Sequence, residues 1–197
     1  MIAGHENTHG FDSQGRNYDG TGRLVNWWTP ESAAAFNERV GCVINQYSQY
    51  EVLPGIYING NLTQGENVAD MGGIKNAYNA YMKIAGAKAS QPSIVKGLSN
   101  IQLFFVAYAQ GWCQVATPQS LEVQVAVDPH SPARYRVIGY VVGRCWLILV
   151  DFGCLVRIVL TRSRNDLSPL QDLPEFSAAF SCPVGSYMNP PTRCQVW

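Results

Sequence analysis

Apolar residues recur with a helical period along several stretches of the chain. The first stretch, residues 31–47, follows Thr29-Pro30, an N-cap residue and a proline suited to the first turn of a helix. Its apolar positions are Phe36, Val40, Val43 and Ile44. Residues 66–84 and 99–112 show the same period, so the pattern predicts a mainly α chain.

Glycine and proline mark the segments between these helices. Residues 12–22 are typical of a turn-rich loop, and residues 53–65 have room for one short hairpin. A proline directly after Ser131 and another after Leu173 each predict the start of a further short helix. No repeat with a period of 20 to 50 residues is present in the sequence.

Composition indicates a globular chain with an unusually small charged fraction. Hydrophobic residues make up 47% of the 197 positions, and 14 basic residues balance 14 acidic ones. This balance argues against nucleic acid or an anionic membrane as a partner. Only 14% of residues are charged, against about 25% in an average domain, so we expect part of the surface to be covered by chain that is missing here.

The most apolar window, residues 141–160, does not have the character of a membrane span. It contains Arg144, Asp151 and Arg157, whereas a span needs about 20 predominantly apolar residues. The chain also shows no leader with a basic start and an apolar run. We therefore expect no membrane contact by this segment.

Cysteine usage and one short motif both favour an extracytoplasmic location. The six cysteines are widely spaced and include no C-x-x-C pair, which favours disulfides over a thiolate metal site. Asn61 begins an Asn-Leu-Thr acceptor sequence for N-glycosylation.

The first chemical motif is an H-E-x-x-H pattern at residues 5–9. On a helix, His5 and His9 lie one turn apart on the same face, with Glu6 beside them. Two imidazoles placed in this way can share one zinc ion. Chance occurrence is the alternative, but it is rare at this composition. We predict one Zn²⁺ per chain.

A catalytic zinc takes a third protein ligand and keeps one position for water. Glu66 is the candidate for this third ligand. Asp70, four residues later on the same predicted face, would accept the free ring N–H of a ligand histidine and fix its tautomer. Acidic residues at this spacing more often form a solvated helix face, but the apolar residues around them and the histidine pair favour the metal site.

The third histidine, His130, has two interpretations that the sequence leaves open. A lone histidine is usually structural. Near a zinc site it can instead donate a hydrogen bond to the oxyanion that forms when water attacks a carbonyl, with Arg136 as a second donor.

These segments together resemble the neprilysin and endothelin-converting-enzyme family of zinc metallopeptidases. The resemblance covers nearly the whole chain except one internal block. It rests on GHENTHGFD at residues 4–12, WW at 27–28, GENVADMGG at 65–73, HSPARYRVIG at 130–139, YMNP at 187–190 and CQVW at 194–197.

The resemblance implies a thermolysin-like zinc peptidase. Residues 1–197 would be the C-terminal, mainly helical part of one catalytic domain, truncated at its N-terminus. In this family's pattern the zinc ligands are His5, His9 and Glu66, the general base is Glu6, and the residue that orients a ligand histidine is Asp70.

Four further residues acquire substrate-related roles from the resemblance. His130 would stabilise the transition state, and Arg136 would hold a substrate carbonyl. Ile2 and Trp112 fall where the family lines an apolar pocket for the residue after the scissile bond. The implied substrates are small extracellular peptides, cleaved by an enzyme on the cell surface or secreted.

The chain also departs from the family. It lacks the large upstream helical ectodomain and the substrate-binding Asn-Ala-Tyr/Phe strand, so the missing N-terminal region is an expected partner. The family's pairing implies a Cys42–Cys194 disulfide. It also implies that Cys113 and Cys182 pair with cysteines of that missing region and have no partner in this chain.

One block, residues 140–168, does not match the family. Its removal would join Gly139 to Pro169, and the joined sequence matches the family's pattern. We predict a non-native insertion, and favour a retained intron read in frame over an extra surface loop, because a loop would be more polar than CWLILV.

Two functional hypotheses remain open from the sequence. The first is a zinc endopeptidase that uses a metal-activated water and a glutamate base. The alternative is a catalytically silent, zinc-binding fragment of such a peptidase.

Overall fold

The computed structural model describes residues 1–137 and 169–197, and this part of the chain is mainly helical, as predicted. The α-helices and strands are α1 (Ile2–His9), α2 (Pro30–Tyr47), β1 (Glu51–Leu53), β2 (Ile56–Tyr57), α3 (Gly60–Ala85), α4 (Asn100–Gln110), α5 (Pro118–Val127) and α6 (Pro174–Ala179). Short 3-10 helices lie at Gly15–Asn17, Gly86–Ser90 and Ala133–Arg136. The predicted helix after Ser131 is therefore a single 3-10 turn.

Side-chain caps begin several of the helices. The Thr29 hydroxyl accepts the backbone N–H of Ser32 at the start of α2, which confirms the predicted boundary. Ser99 and Gln102 form a capping box at the start of α4. Thr117 caps α5 in the same way as Thr29 caps α2, and this helix was not among those predicted from the sequence.

The long helix α3 begins six residues before its predicted start at residue 66. Asn59-Gly60 is typical of a hairpin turn, but here the Asn59 side chain accepts the backbone N–H of Leu62 and serves as the N-cap. The predicted hairpin is present immediately before it, as antiparallel β1 and β2 joined through Gly55, which has a positive φ of 77°.

Helix α3 lies between two hydrophobic clusters. The first cluster gathers α4, α6 and the α3 residue Ile74. The second gathers α2, the C-terminal residues Cys194 and Val196, and the α3 residue Val68. Because both clusters use α3, its middle section is fixed from two sides, and that section carries Glu66 and Asp70.

The block at residues 140–168 and the apolar window at residues 141–160 lie outside the described residues. Within residues 1–137 and 169–197, no helix combines the length and the apolar character that crossing a bilayer requires.

Candidate metal centre

Close packing of α1 on α3 brings the H-E-x-x-H segment to the middle of α3. A methyl group added to Gly73 would lie 2.8 Å from the backbone nitrogen of His5, and one added to Gly72 would lie 2.4 Å from Thr8 Oγ1. Glycine at these two positions allows the helices to approach until side chains of α1 and α3 can share one ligand.

His5, His9 and Glu66 converge, with one ligand atom from each inside a 4.8 Å cluster. The Nε2 atoms of His5 and His9 are 3.0 Å apart. Glu66 places Oε2 3.2 Å from His5 Nε2 and Oε1 3.5 Å from His9 Nε2. A tetrahedral zinc with ligand bonds of about 2.0–2.1 Å separates its ligand atoms by roughly 3.3 Å, so these spacings fit a zinc ion.

The outer nitrogens of both histidines contact carboxylates. His5 Nδ1 lies 2.8 Å from Asp70 Oδ1, and His9 Nδ1 lies 2.6 Å from Asp12 Oδ2. When each Nδ1 carries a proton toward its carboxylate, both Nε2 lone pairs point at each other across 3.0 Å. A cation between them relieves this repulsion.

Charges around Glu66 also suit a cation. Among the described residues, its buried Oε2 accepts no hydrogen bond of acceptable geometry, although His5 and His130 nitrogens lie within 3.2 Å. Burial opposes ionisation of Glu66, but the His5, His130 and His9 rings together hold its pKa below the usual value. The Asp70 carboxylate, followed by that of Glu66, raises the pKa of His5 to about 9. The donor set therefore fits zinc.

His130 borders this cluster on the side of Glu66. Its Nε2 lies 3.1 Å from Glu66 Oε2, and its Nδ1 lies 2.8 Å from Asp128 Oδ1. The same Asp128 oxygen accepts the backbone N–H of His130 at 2.8 Å, which fixes the turn that presents the ring. The structure thus places His130 beside the candidate ligands.

Arg136 is buried behind the ligands and pairs with Asp70. Its Nε and one terminal nitrogen donate to the two Asp70 oxygens at 2.7 and 2.9 Å. The guanidinium carbon lies 4.0 Å from the ring centre of Trp112, which is half-buried. Asp70 therefore links His5 to Arg136 through a single carboxylate.

The other predicted residues lie in varied surroundings. Glu6 and Asn61 are exposed, and Ile2 is 74% exposed at the start of α1. The Cys42–Cys194 disulfide is present. Cys113 and Cys182 are also disulfide-bonded, so the expectation that this chain leaves them without partners is wrong.

Two acidic residues at the candidate centre, Asp12 and Asp128, are not among the residues predicted from the sequence. Asp12 and Asp128 each contact a histidine two or three positions away in the chain. An acidic residue this near a candidate histidine is a usable signal, but the contact depends on the intervening turn, which the sequence does not specify closely.

A His-His-Glu cluster on two packed helices is the ligand set of a class of zinc peptidases. The chain belongs to peptidase family M13, whose family model matches residues 1–143. It is 44% identical to endothelin-converting enzyme 1 of Homo sapiens and 42% identical to neprilysin-1 of Caenorhabditis elegans, with all of this chain aligned in each case. It spans 22% and 23% of the length of these two relatives.

Solved structures show the same fold. The zinc metalloprotease Zmp1 of Mycobacterium tuberculosis, in complex with an inhibitor, superposes with a TM-score of 0.78 at 28% identity. That match covers 98% of this chain and 26% of Zmp1. PepO of Lactobacillus rhamnosis gives a TM-score of 0.66 at 27% identity over 96% of this chain and 24% of PepO. The predicted family and the thermolysin-like fold class are confirmed.

Proposed function

We propose that this chain is the zinc-binding part of the catalytic domain of an endopeptidase that cleaves small extracellular peptides. The observation that carries the proposal is the convergence of His5, His9 and Glu66 at separations suited to one tetrahedral ion. Membership of a peptidase family supports the same reaction class.

The metal would be held by His5, His9 and Glu66. When bound, zinc lowers the pKa of a coordinated water to about 7 and polarises the substrate carbonyl. Glu6, exposed and next to a ligand on α1, accepts the proton of the attacking water and passes it to the leaving amine.

His130 and Arg136 would act on the substrate carbonyls. With a proton on each nitrogen, the His130 ring donates through Nδ1 to Asp128 and through Nε2 to the oxyanion. The 3.1 Å distance between its Nε2 and Glu66 Oε2 supports this role. Arg136 holds a neighbouring substrate carbonyl, with Asp70 and Trp112 orienting its guanidinium.

The rest of the substrate cleft would come from other parts of a longer protein. The chain spans about a fifth of its curated relatives. Ile2, largely exposed, and Trp112 would line one apolar pocket of the shared cleft for the residue after the scissile bond. An extracellular or cell-surface location is supported by the Cys42–Cys194 disulfide and by the exposed acceptor residue Asn61.

The Glu6→Gln variant tests this proposal. We expect it to retain zinc, because Glu6 is not a ligand, and to lose about 10²–10⁴-fold of the rate on a quenched fluorescent peptide, because a general base contributes that much. Hydrolysis would be measured on the 197-residue chain and on the same segment within a full-length relative.

The silent-fragment alternative makes a different prediction for the same pair of proteins. It predicts stoichiometric zinc in the isolated chain with no hydrolysis, and hydrolysis only in the longer protein. A Glu6→Gln longer protein that cleaves as fast as its parent would contradict the assigned base. Failure of the unmodified chain to bind zinc would contradict the proposal as a whole.

A further inference from the structure

The two candidate ligand histidines are held through Nδ1 by carboxylates of different origin. Asp70 belongs to α3, whereas Asp12 belongs to the turn directly after α1. We propose that Asp12 is a positioning residue: it holds His9 in the tautomer with the proton on Nδ1, so that the Nε2 lone pair is available to the metal. This inference rests on the proposed zinc function.

The Asp12 carboxylate is fixed by the backbone of its own turn. Its Oδ1 accepts the N–H groups of Gln14 and Gly15 at 2.8 and 2.7 Å. The residue is only 6% exposed. These bonds occupy Oδ1 and leave Oδ2 for His9 Nδ1, at 2.6 Å.

Close packing keeps the carboxylate in this position. A methyl group on Gly15 would lie 1.8 Å from the backbone oxygen of His9, so the turn folds tightly against the end of α1. On the other side, a methyl group on Gly65 would lie 3.4 Å from Asp12 Oδ2, an ordinary van der Waals distance, so α3 passes beside the same oxygen. The two backbone hydrogen bonds within this tight turn therefore hold the carboxylate against His9.

Neither stabilisation of α1 nor formation of the turn explains why Asp12 Oδ2 contacts His9 Nδ1. A negative charge beyond the C-terminal end of α1 is unfavourable with the helix dipole, and the turn needs only Oδ1. The His9 side chain is 29% exposed and that of His5 is 9% exposed, so His9 has fewer packing contacts to orient its ring. A carboxylate on Nδ1 supplies that orientation.

The Asp12→Asn variant separates the role of Asp12 in the turn from its role in holding His9. Its Oδ1 can keep both backbone hydrogen bonds, while its amide NH₂ replaces Oδ2 and faces His9 Nδ1. That donor favours the opposite tautomer, with a proton on Nε2, which cannot ligate a metal. We expect zinc affinity, measured by chelator competition, to fall about 10–100-fold, with the melting temperature of the zinc-free chain near that of the unmodified protein.

Asp19→Asn is the matched control. Asp19 also anchors a turn, since its Oδ1 accepts the N–H groups of Thr21 and Arg23, and it lies in a loop away from the histidines. We expect its zinc affinity to be unchanged. A folded Asp12→Asn chain that binds zinc as tightly as the unmodified chain would overturn the role of Asp12 and leave the proposed function intact.

The tautomer of His9 can also be measured in the unmodified chain, which keeps the inference testable even if Asp12→Asn does not fold. Long-range ¹H–¹⁵N NMR of the zinc-loaded protein should show a proton on His9 Nδ1. A zinc-bound His9 that carries its proton on Nε2 would overturn the inference. An unmodified chain that takes up no zinc would overturn both this inference and the proposed function.

Discussion

At the scale of single residues, the arrangement around Asp70 links the stability of the fold to the candidate metal centre. Asp70 is fully buried and its two oxygens are shared between His5 and Arg136. A buried carboxylate is tolerated only when its charge is matched and its oxygens accept hydrogen bonds. Arg136 supplies the permanent positive charge, so Asp70 can orient His5 whether or not that ring is protonated.

Removal of the Arg136 charge should destabilise the folded chain. We expect Arg136→Leu to lower the free energy of unfolding by about 3–5 kcal/mol, because the buried Asp70 carboxylate loses two hydrogen bonds and its permanent partner charge and keeps only the His5 ring beside it. Urea unfolding of the zinc-free chain measures it. Arg23→Leu is the control, since it breaks the exposed Asp19–Arg23 pair and should barely move the urea midpoint. Equal effects of the two substitutions would contradict this account of Asp70.

The residues of the candidate centre differ in how far the sequence could predict that they lie together. His5 and His9 follow from helical spacing alone, and Asp70 follows from its position four residues after Glu66. The pairing of Asp70 with Arg136, 66 residues away, depends on how α3 meets the 3-10 turn at Ala133–Arg136. No local pattern in the sequence encodes that meeting.

At the scale of elements, the site depends on the contact between α1 and α3. Gly72 and Gly73 interrupt an otherwise helical pattern, and a glycine inside a helix costs about 0.5–1 kcal/mol relative to alanine. The structure explains this cost, because a methyl group on Gly73 would lie 2.8 to 3.1 Å from three atoms of His5.

We therefore expect Gly73→Ala to destabilise the chain by about 1–3 kcal/mol through overpacking and to weaken zinc binding, because α1 must move away from Glu66. Thermal melting and zinc titration measure the two effects. Gly41→Ala in α2 is the matched control: within residues 1–137 and 169–197, no atom beyond the neighbouring backbone of α2 lies within 4 Å of its added methyl group, so helix propensity should stabilise the chain slightly. A Gly73→Ala chain that behaves like Gly41→Ala would refute the packing argument.

The boundaries of the elements show where sequence patterns succeed and where they do not. Thr29-Pro30 predicts the start of α2 correctly, and the same dipeptide type at Thr117-Pro118 begins α5. Helix α5 has no buried residue, so its apolar positions give no clear amphipathic period to accompany the cap. Asn59-Gly60 suits both a hairpin turn and a helix cap, and only the packing of α3 decides between them.

At the scale of the whole molecule, a disulfide and hydrogen bonds connect the C-terminal segment to α2. The Cys42–Cys194 disulfide links positions 152 residues apart. Beside it, Asp172 accepts the backbone N–H of Cys194 at 2.9 Å and the side-chain amide of Gln46 at 2.7 Å. Asp172 is 6% exposed, so its charged form is poorly solvated at this junction.

This burial makes the junction sensitive to pH. Burial raises the pKa of Asp172 from 3.8 to about 6, against the opposing hydrogen bonds from Gln46 and Cys194. Between these pH values the folded chain keeps a proton that the unfolded chain has released. Protonated Asp172 therefore contributes about 3 kcal/mol to the free energy of unfolding below about pH 3.8. This contribution is lost as the pH rises through about 6.

The Asp172→Asn variant should remove this dependence. Its Oδ1 can still accept from Cys194, and the Gln46 amide can turn to accept from the new NH₂ group. We expect the variant to gain about 2 kcal/mol relative to the unmodified chain on going from pH 4 to pH 8, because only the unmodified chain loses the contribution of a protonated Asp172. Urea unfolding of both zinc-free proteins at the two pH values measures the difference. Since all other titrating groups are common to the pair, parallel stability curves would show that Asp172 ionises in the folded chain as readily as in the unfolded one.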